Sequence, residues 1–302
     1  MSDARLCIFG EVLFDHFPDG KRVLGGAPFN VAWHLQAFGE SPRFISRVGK
    51  DAEGDEILTA MRGWGMDLAG VQTDPARPTG KVSVSFEDGE PAYEIIEDCA
   101  YDAINSASVA ASMTDTLCKL LYHGSLALRN KASREALLRL ADGKPQNLFV
   151  DVNLRSPWWQ REPILEMLRL ADWVKLNDDE LNLLGLQANG AVLGPAEFLR
   201  EFDLRGLVLT RGSAGAELYT ARGDSMRVSP DDNVDIVDTV GAGDAFASVI
   251  ILGLAREWPL QVTLQRAQEF ASKVVGLRGA TVSDPGFYQP LVENWRLAQP
   301  SS

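Results

Sequence analysis

The sequence predicts an α/β fold in three layers, a mostly parallel central sheet between helices, with a small β-sheet lid. Three observations predict it. From Leu117 onward, short apolar runs alternate with segments of helical period, the pattern of a parallel sheet covered on both faces. Between Val71 and Ile96 the helical period disappears, and Lys81-Val82-Ser83-Val84-Ser85-Phe86 alternates polar and apolar residues, as a strand with one wet face does. The length, 302 residues, suits one large α/β domain. A single domain over 1–302 is therefore expected, with the lid formed by about 12–24 and 70–98.

Each element follows from a local signal. Leu6 to Gly10 is a short apolar strand. Pro28 to Phe38 has apolar residues at helical spacing, with Pro28 in the first turn and Gly39 just past the end. Arg43 to Val48 reads as a strand and Ala52 to Trp64 as a helix. The alternating run turns at Glu87-Asp88-Gly89-Glu90 and continues extended from Ala92 to Ile96, a hairpin. Strands follow at Leu120–His123, Leu148–Val152, Trp173–Leu176 and Leu207–Thr210. Helices fall at Ser133–Ala141, Ile164–Leu170, Asp178–Leu184 and Pro195–Phe202. Ala216–Tyr219 and Met226–Val228 form a second hairpin. An uncharged helix over Ala245–Ala255 and two more, near Val262–Gly276 and Pro290–Ala298, close the chain.

Composition bounds the class. Hydrophobic residues make up 45% of the chain and charged residues 24%, ordinary for a globular protein. Lys and Arg number 29 against 42 Asp and Glu, a formal charge of −13. That balance disfavours nucleic acid and anionic membrane as partners. Any phosphate site must then be local, built from backbone N–H groups and a few basic side chains. Cys7, Cys99 and Cys118 form neither a metal spacing nor a disulfide framework, which fits a reducing compartment. Asp3 and Arg5 precede only a short apolar run that Glu11 interrupts, unlike a secretory signal. The uncharged run Phe246–Ala255 is too short to span a bilayer. A soluble cytoplasmic protein is expected.

The most informative stretch is Asp238-Thr239-Val240-Gly241-Ala242-Gly243-Asp244. Gly241, Ala242 and Gly243 stand at the N-terminus of the uncharged helix, where unpaired N–H groups attract phosphate. Asp244 lies past the position that capping acids prefer. It reads as a base held beside a phosphoryl group, an arrangement that suits phosphoryl transfer to an alcohol. A dinucleotide-binding turn competes, although Phe246 then fills the place of its third glycine. A plain turn into a core helix is the other alternative.

Further candidates come from strand ends and helix starts. Gly25 and Gly26 allow a ligand close to the backbone. Asn30 both donates and accepts, which suits sugar hydroxyls; a helix start with an outward Asn is the plain alternative. Asp15, just after the first strand, suits two hydroxyls of a polyol at the carboxyl ends of the strands, or is a turn residue. Alternation puts Asp151, Asn153 and Arg155 on one side. Arg155 is suited to neutralise a transferring phosphoryl group, or to a surface ion pair. Asn177 and Glu180 read as an N-cap and its capping-box partner, or as organisers of the waters around Mg²⁺. Thr210 to Gly215, with Gly212, is a Gly-rich turn suited to nucleotide phosphates, and no P-loop pattern occurs. His16, His34 and His123 share no spacing and read as packed or surface residues.

Together these stretches resemble the PfkB, or ribokinase-like, family of carbohydrate kinases. Gly25-Gly26 through Asn30, with Gly39 and Gly49, is similar to the family's N-terminal signature. Asp238 to Asp244 is similar to its C-terminal signature. Gly10-Glu11-Val12-Leu13-Phe14-Asp15 and Asp151-Val152-Asn153-Leu154-Arg155 look most like the fructokinase branch. The resemblance implies the ribokinase-like fold and ATP-dependent phosphorylation of a sugar, most of all fructose. It implies Asp244 as catalytic base and Gly241 to Gly243 as anion hole. Asp15, Gly26 and Asn30 would hold the sugar, and Asn177 and Glu180 would stand near Mg²⁺. Thr210, Gly212 and Gly215 would line the nucleotide, with Arg278-Gly279-Ala280 near its adenine. Asp238 would belong to a monovalent-cation loop, with K⁺ as the ion. Paired lid sheets would make a homodimer. The chain departs from the pattern at Tyr101, where relatives often carry Trp, and at Arg211, where many have an apolar residue. The runners-up are 2-keto-3-deoxygluconate kinase and ribokinase. The tract carrying Glu87, Asp88, Glu90, Glu94, Glu97 and Asp98, without Lys or Arg, disfavours an acidic sugar. An inactive sugar-binding regulator is the non-enzyme alternative.

Overall fold

The computed structural model describes residues 3–87, 90–187, 189–230 and 237–297. The first third of the chain holds β1 (Asp3–Phe9), β2 (Leu13–His16), β3 (Arg22–Gly25), α1 (Ala27–Ala37), β4 (Arg43–Gly49), α2 (Ala52–Gly63), β5 (Val71–Asp74), β6 (Gly80–Glu87) and β7 (Glu90–Ile95). The middle holds α3 (Ser106–Ser112), β8 (Thr116–His123), α4 (Lys131–Ala141), β9 (Asn147–Asp151), α5 (Arg161–Leu168), β10 (Trp173–Asn177), α6 (Asp178–Gly185) and α7 (Pro195–Glu201). The last part holds β11 (Gly206–Thr210), β12 (Ala216–Thr220), β13 (Ser225–Val228), α8 (Ala242–Ala255), α9 (Leu260–Val275) and α10 (Pro285–Asn294).

Nine strands form one sheet in the order β13-β12-β11-β10-β9-β8-β1-β4-β5. Pairing is parallel from β5 to β11 and antiparallel at β11–β12 and β12–β13. Strand alternation sends side chains to two cores. Leu6, Ile8, Leu120, Tyr122 and Val208 join the residues of α1, α8 and α9 on one face. Cys7, Phe9, Leu121, Leu207 and Leu209 join α4, α5 and α7 on the other. This is the layered arrangement the alternating pattern predicts. Helix α8 is buried along most of its length, which is why its sequence lacks charge after Asp244. No described helix is long and apolar enough to cross a membrane.

The smaller sheet has the order β3-β2-β6-β7. It joins a hairpin before α1 to the alternating hairpin, β2 pairing with β6 in parallel. Asp88 and Gly89, at the turn of that hairpin, lie outside the described residues. Val71–Asp74, inside the span expected for the lid, pair with β4 at the edge of the large sheet. Asp74 is 2% exposed there and accepts from the N–H groups of Ala76 and Arg77, so it ends the edge strand with a turn. Helix α3 has no counterpart in the sequence reading; Asn105 caps it, accepting from Ser108 N–H at 3.0 Å. The last helix starts earlier than Pro290. Asp284 caps it through Gly286 N–H at 2.9 Å, and Pro285 takes the first helical position. Ala298, its expected end, lies outside the described residues.

Candidate active site

The parallel strands end along one edge of the large sheet, and the residues singled out from the sequence collect there, as ligand-binding residues of open α/β sheets do. Helix α1 starts at Gly26, whose φ is 113°, and a Cβ at that position would lie 2.7 Å from the Glu11 carbonyl oxygen. Only glycine fits so close a crossing. Asn30, one turn into α1 and 4% exposed, donates from Nδ2 to Asp244 Oδ2 at 2.8 Å. Its Oδ1 is buried without a partner. A Cβ on Gly25 would lie 3.8 Å from Asp15 Oδ2 and 4.0 Å from Asn30 Oδ1. Gly25, Asp15 and Asn30 therefore share one corner. Asp15 reaches it from β2 of the small sheet rather than from a turn after β1. Burial pushes its carboxyl up to about 6, with Arg155 opposing the rise.

Helix α8 begins at Gly241, an N-cap in the left-handed region with φ 82°. The N–H groups of Gly243 and Asp244 have no acceptor among the described residues, the state in which a helix end attracts an anion. Asp244 lies in that open turn. Burial pushes its carboxyl from the ordinary 3.8 to about 6; the Asn30 bond pulls it down, Asp151 adds to the rise, and Lys175 and Arg155 oppose it. Such a group is ionised at neutral pH and accepts a proton more readily than an ordinary Asp.

Arg155 is exposed and within electrostatic reach of Glu11, Asp15 and Asp244. The strand that would align it with Asp151 does not extend to it. Strand β9 ends at Asp151, which is 1% exposed, and Asn153 turns to a positive φ of 38°. The alternation expected through Arg155 stops there.

Asn177 caps α6. Its Oδ1 accepts from Glu180 N–H at 2.8 Å, and Glu180 Oε2 accepts from Asn177 N–H at 2.9 Å. Glu180 Oε1 accepts from Leu154 N–H at 2.8 Å, so the capping acid also fastens the loop that carries Arg155. Burial raises the Glu180 carboxyl and these backbone bonds lower it. Both oxygens are already engaged. Among the described residues no three His, Cys, Asp or Glu side chains are grouped to hold a metal. Mg²⁺ keeps several of its own waters, and the residues present fit it through water on the remaining lone pairs of Glu180.

Farther along the edge, Thr210 ends β11 and donates to the Leu176 carbonyl at 3.4 Å. Gly212 and Gly215 both take positive φ, and a Cβ on Gly215 would meet the Val228 carbonyl oxygen at 2.0 Å. Asp238 accepts from Val240 N–H at 3.0 Å and Gly279 N–H at 3.3 Å, tying the segment before α8 to Gly279. Arg211 is taken up by Asp178 and Glu217, at 3.2 and 3.0 Å. The histidines His34 and His123 are buried and held to low pKa values, about 3 and about 4, by desolvation. Both are packed residues, as their lack of shared spacing suggests.

Three groups that the sequence reading passed over also stand here. Glu11 is 3% exposed, with Oε2 buried and unpaired. Burial raises its carboxyl to about 7, and Asp244 adds to the rise. Lys175 Nζ lies 2.8 and 3.0 Å from the two oxygens of Asp151. Tyr122 donates to Asp151 Oδ2 at 3.3 Å. The signals were present: Glu11 is a lone charge within the apolar run Leu6–Phe14, and Lys175 pairs in register with Asp151 across adjacent parallel strands.

Known proteins are similar to this chain in sequence and in fold. Residues 6–285 match the family model described as pfkB family carbohydrate kinase. The fructokinase of Escherichia coli is 28% identical over 306 residues, which cover 93% of this chain and 96% of that protein. The crystal structure of a fructokinase with bound ATP from Xylella fastidiosa superposes with a TM-score of 0.82 at 22% identity, covering 95% of this chain and 98% of that one. A fructokinase double mutant from Vibrio cholerae, in a fructose, ADP and potassium ion bound form, gives a TM-score of 0.78 at 23% identity, covering 95% and 98%.

Proposed function

The chain belongs to the pfkB family of carbohydrate kinases and has the ribokinase-like fold, and from that premise we propose that it transfers the γ-phosphoryl group of ATP to the terminal hydroxyl of a ketose, fructose first. One observation carries the reading. The Asn30–Asp244 hydrogen bond sets the sugar-side helix start against the open N–H groups of α8, so acceptor and phosphoryl sites adjoin a carboxyl pushed up to about 6.

In this reading Asp15, Gly25, Gly26 and Asn30 hold the sugar, and Asn30 Oδ1 takes one of its hydroxyl protons as a hydrogen bond. Asp244 accepts the proton of the attacking hydroxyl as the oxygen–phosphorus bond forms and the bond to ADP breaks. Gly241, Ala242 and Gly243 form the anion hole, whose N–H groups stabilise the developing charge, with Arg155 reaching over it. Thr210, Gly212, Gly215 and Gly279 line the nucleotide. Bound Mg²⁺ supplies positive charge to the phosphates, with Glu180, through water, and Asn177 beside it. Asp238 belongs to a loop for a monovalent cation, and the potassium ion in the Vibrio cholerae structure supports K⁺.

Fructose is favoured over an acidic sugar by the acids of the cleft. Asp15, Glu11 and Asp244 repel a substrate carboxylate. The described lid acids Glu94, Glu97 and Asp98 are exposed, and Asp98 is paired with Arg77 at 2.6 Å, so they weigh less. A homodimer through the small sheet belongs to the same proposal, Tyr93 on β7 being 57% exposed. Free cysteines fit the cytoplasm.

The test is ADP release measured on fructose, ribose, tagatose, 2-keto-3-deoxygluconate and adenosine, with and without K⁺. Fructose is expected to lead, and Asp244→Asn to lower kcat by roughly 10²–10⁴ with little change in sugar affinity. Preference for ribose or 2-keto-3-deoxygluconate would overturn the substrate; near-normal turnover of Asp244→Asn would overturn the base.

A further inference from the structure

Lys175 is a buried cation that the reading above leaves without a task. It projects from β10, is 7% exposed, and lies 2.8 and 3.0 Å from the two oxygens of Asp151 on β9. An ammonium has three donors. Asp151 takes two directions, and no third acceptor is found for Nζ among the described residues. The remaining direction is informative. A Cβ built on Gly243 would lie 3.7 Å from Lys175 Nζ, with no other atom within 4 Å apart from chain neighbours and the helix's own backbone. The ammonium thus stands under the first turn of α8, where the N–H groups of Gly243 and Asp244 are open. A side chain at position 243 would start in contact with the ammonium.

The charge is secured from below. Burial pulls the lysine pKa down, but the charge and hydrogen bonds of Asp151 outweigh it, aided by Glu180 and Asp244, and the ammonium is held above its usual range. Tyr122 donates to Asp151 in turn. A buried pair that served only packing would be replaceable by neutral side chains of similar size at little loss. This pair instead places its cation at a helix end built to receive an anion.

We propose that Lys175 is a further catalytic residue, tethered by Asp151 so that its third N–H contacts the transferring phosphoryl group beneath Gly243. The proposal rests on the kinase reading of the site. It explains how an acidic cleft presents a fixed positive charge to a phosphate, since Arg155 is exposed on a loop while Lys175 is fixed in the sheet. A point charge held there adds to the backbone N–H groups just as the γ-phosphoryl oxygens gain charge.

The test removes both charges together, because Lys175→Met alone strands a buried carboxylate. The double variant Lys175→Met/Asp151→Asn is checked for folding by circular dichroism and thermal melting. ATP and ADP binding are then titrated without sugar, and kcat and KM are measured. The expected result is ADP affinity within about threefold of the parent, ATP affinity weaker by about tenfold, and kcat lower by about 10²–10³ with the sugar KM little changed. If the folded double variant keeps its kcat and its preference for ATP over ADP within threefold, Lys175 is only structural and the proposal falls. Should the double variant fail to fold, Lys175→Gln, which keeps a donor toward Asp151, undergoes the same ATP-to-ADP comparison with the same deciding outcome. The binding measurement uses no sugar. A parent protein that phosphorylates none of the sugars would sink the function while leaving the comparison to decide Lys175.

Discussion

Replacing Asp244 by asparagine should make the protein more stable at neutral and alkaline pH, and the structure sets the size of the effect. The folded protein holds this carboxyl at about 6, against 3.8 for an ordinary Asp. Folding therefore favours the protonated form. Below about pH 4 the group is protonated in both states and contributes no penalty. As pH rises toward 6, the unfolded chain ionises first and gains. Above 6 both states are ionised, and the full difference stands against folding. A gap of roughly two pKa units corresponds to about 3 kcal/mol. Asp244 keeps some access to the cleft, so this is an upper bound. Asparagine leaves the Asn30 bond intact, since its Oδ1 can accept where Oδ2 of Asp244 now does.

The measurement is urea denaturation of parent and variant at pH 4, 6 and 8, with calorimetric melting alongside. The two should coincide near pH 4. By pH 8 the variant should lead by up to about 3 kcal/mol, or roughly 5 °C in Tm for a domain of this size. The same variant should be nearly inactive, so stability and turnover move in opposite directions. A variant less stable than the parent at pH 8, or a lead that does not change with pH, would refute the claim that the fold holds this carboxyl against ionisation.

Three other perturbations follow from the same geometry. Asn30→Ala removes the hydrogen bond that lowers the Asp244 pKa, so the acid limb of the kcat profile should move to higher pH; a limb that stays in place or moves down would contradict the assignment. Gly26→Ala places a methyl group 2.7 Å from the Glu11 carbonyl at a φ of 113°, and should cost about 1–3 kcal/mol in denaturation experiments, with a neutral result showing that the crossing can open. Arg129→Met leaves Asp102, 1% exposed, without the guanidinium that lies 2.7 Å away; the loss should be about 3–5 kcal/mol, read by chemical denaturation, and a loss under 1 kcal/mol would mean that solvent replaces the cation.

The features legible in the sequence were those whose signal is local. Gly25-Gly26, with Pro28 just after, and Gly241 to Asp244 announce helix starts because the glycines and a following apolar run lie within a few residues. The alternation of β6 and the uncharged run of α8 are equally local. What stayed hidden depends on pairing across the fold. Val71–Asp74 read as part of the lid because nothing in four residues says that their partner is β4. The partner of the strand that carries Asp15 stayed out of view because that partner, β6, begins only at Gly80. Alternation through Asp151, Asn153 and Arg155 failed because a positive φ at Asn153 carries no warning in the sequence.

The charges of the site show the same division most sharply. Asp151 and Lys175 lie on different strands and become one ion pair only when β9 and β10 are adjacent and in register. Glu11 looks like an interruption of an apolar run until the fold closes over it. A net charge of −13 describes the whole surface and says nothing of the cleft. In the cleft, Glu11, Asp15, Asp151, Glu180 and Asp244 stand against Lys175 and Arg155. Burial pushes the first two and Asp244 toward their protonated forms, Asp244 adding to the rise at Glu11 and Asp151 to that at Asp244, and any phosphate arriving there meets repulsion from the carboxylates and attraction from the open N–H groups of α8 and the two cations. In the proposed reaction a nucleotide must therefore bring a cation of its own. The burial that raises these carboxyls is also what keeps a proton acceptor of raised pKa, Asp244, beside the proposed sugar corner.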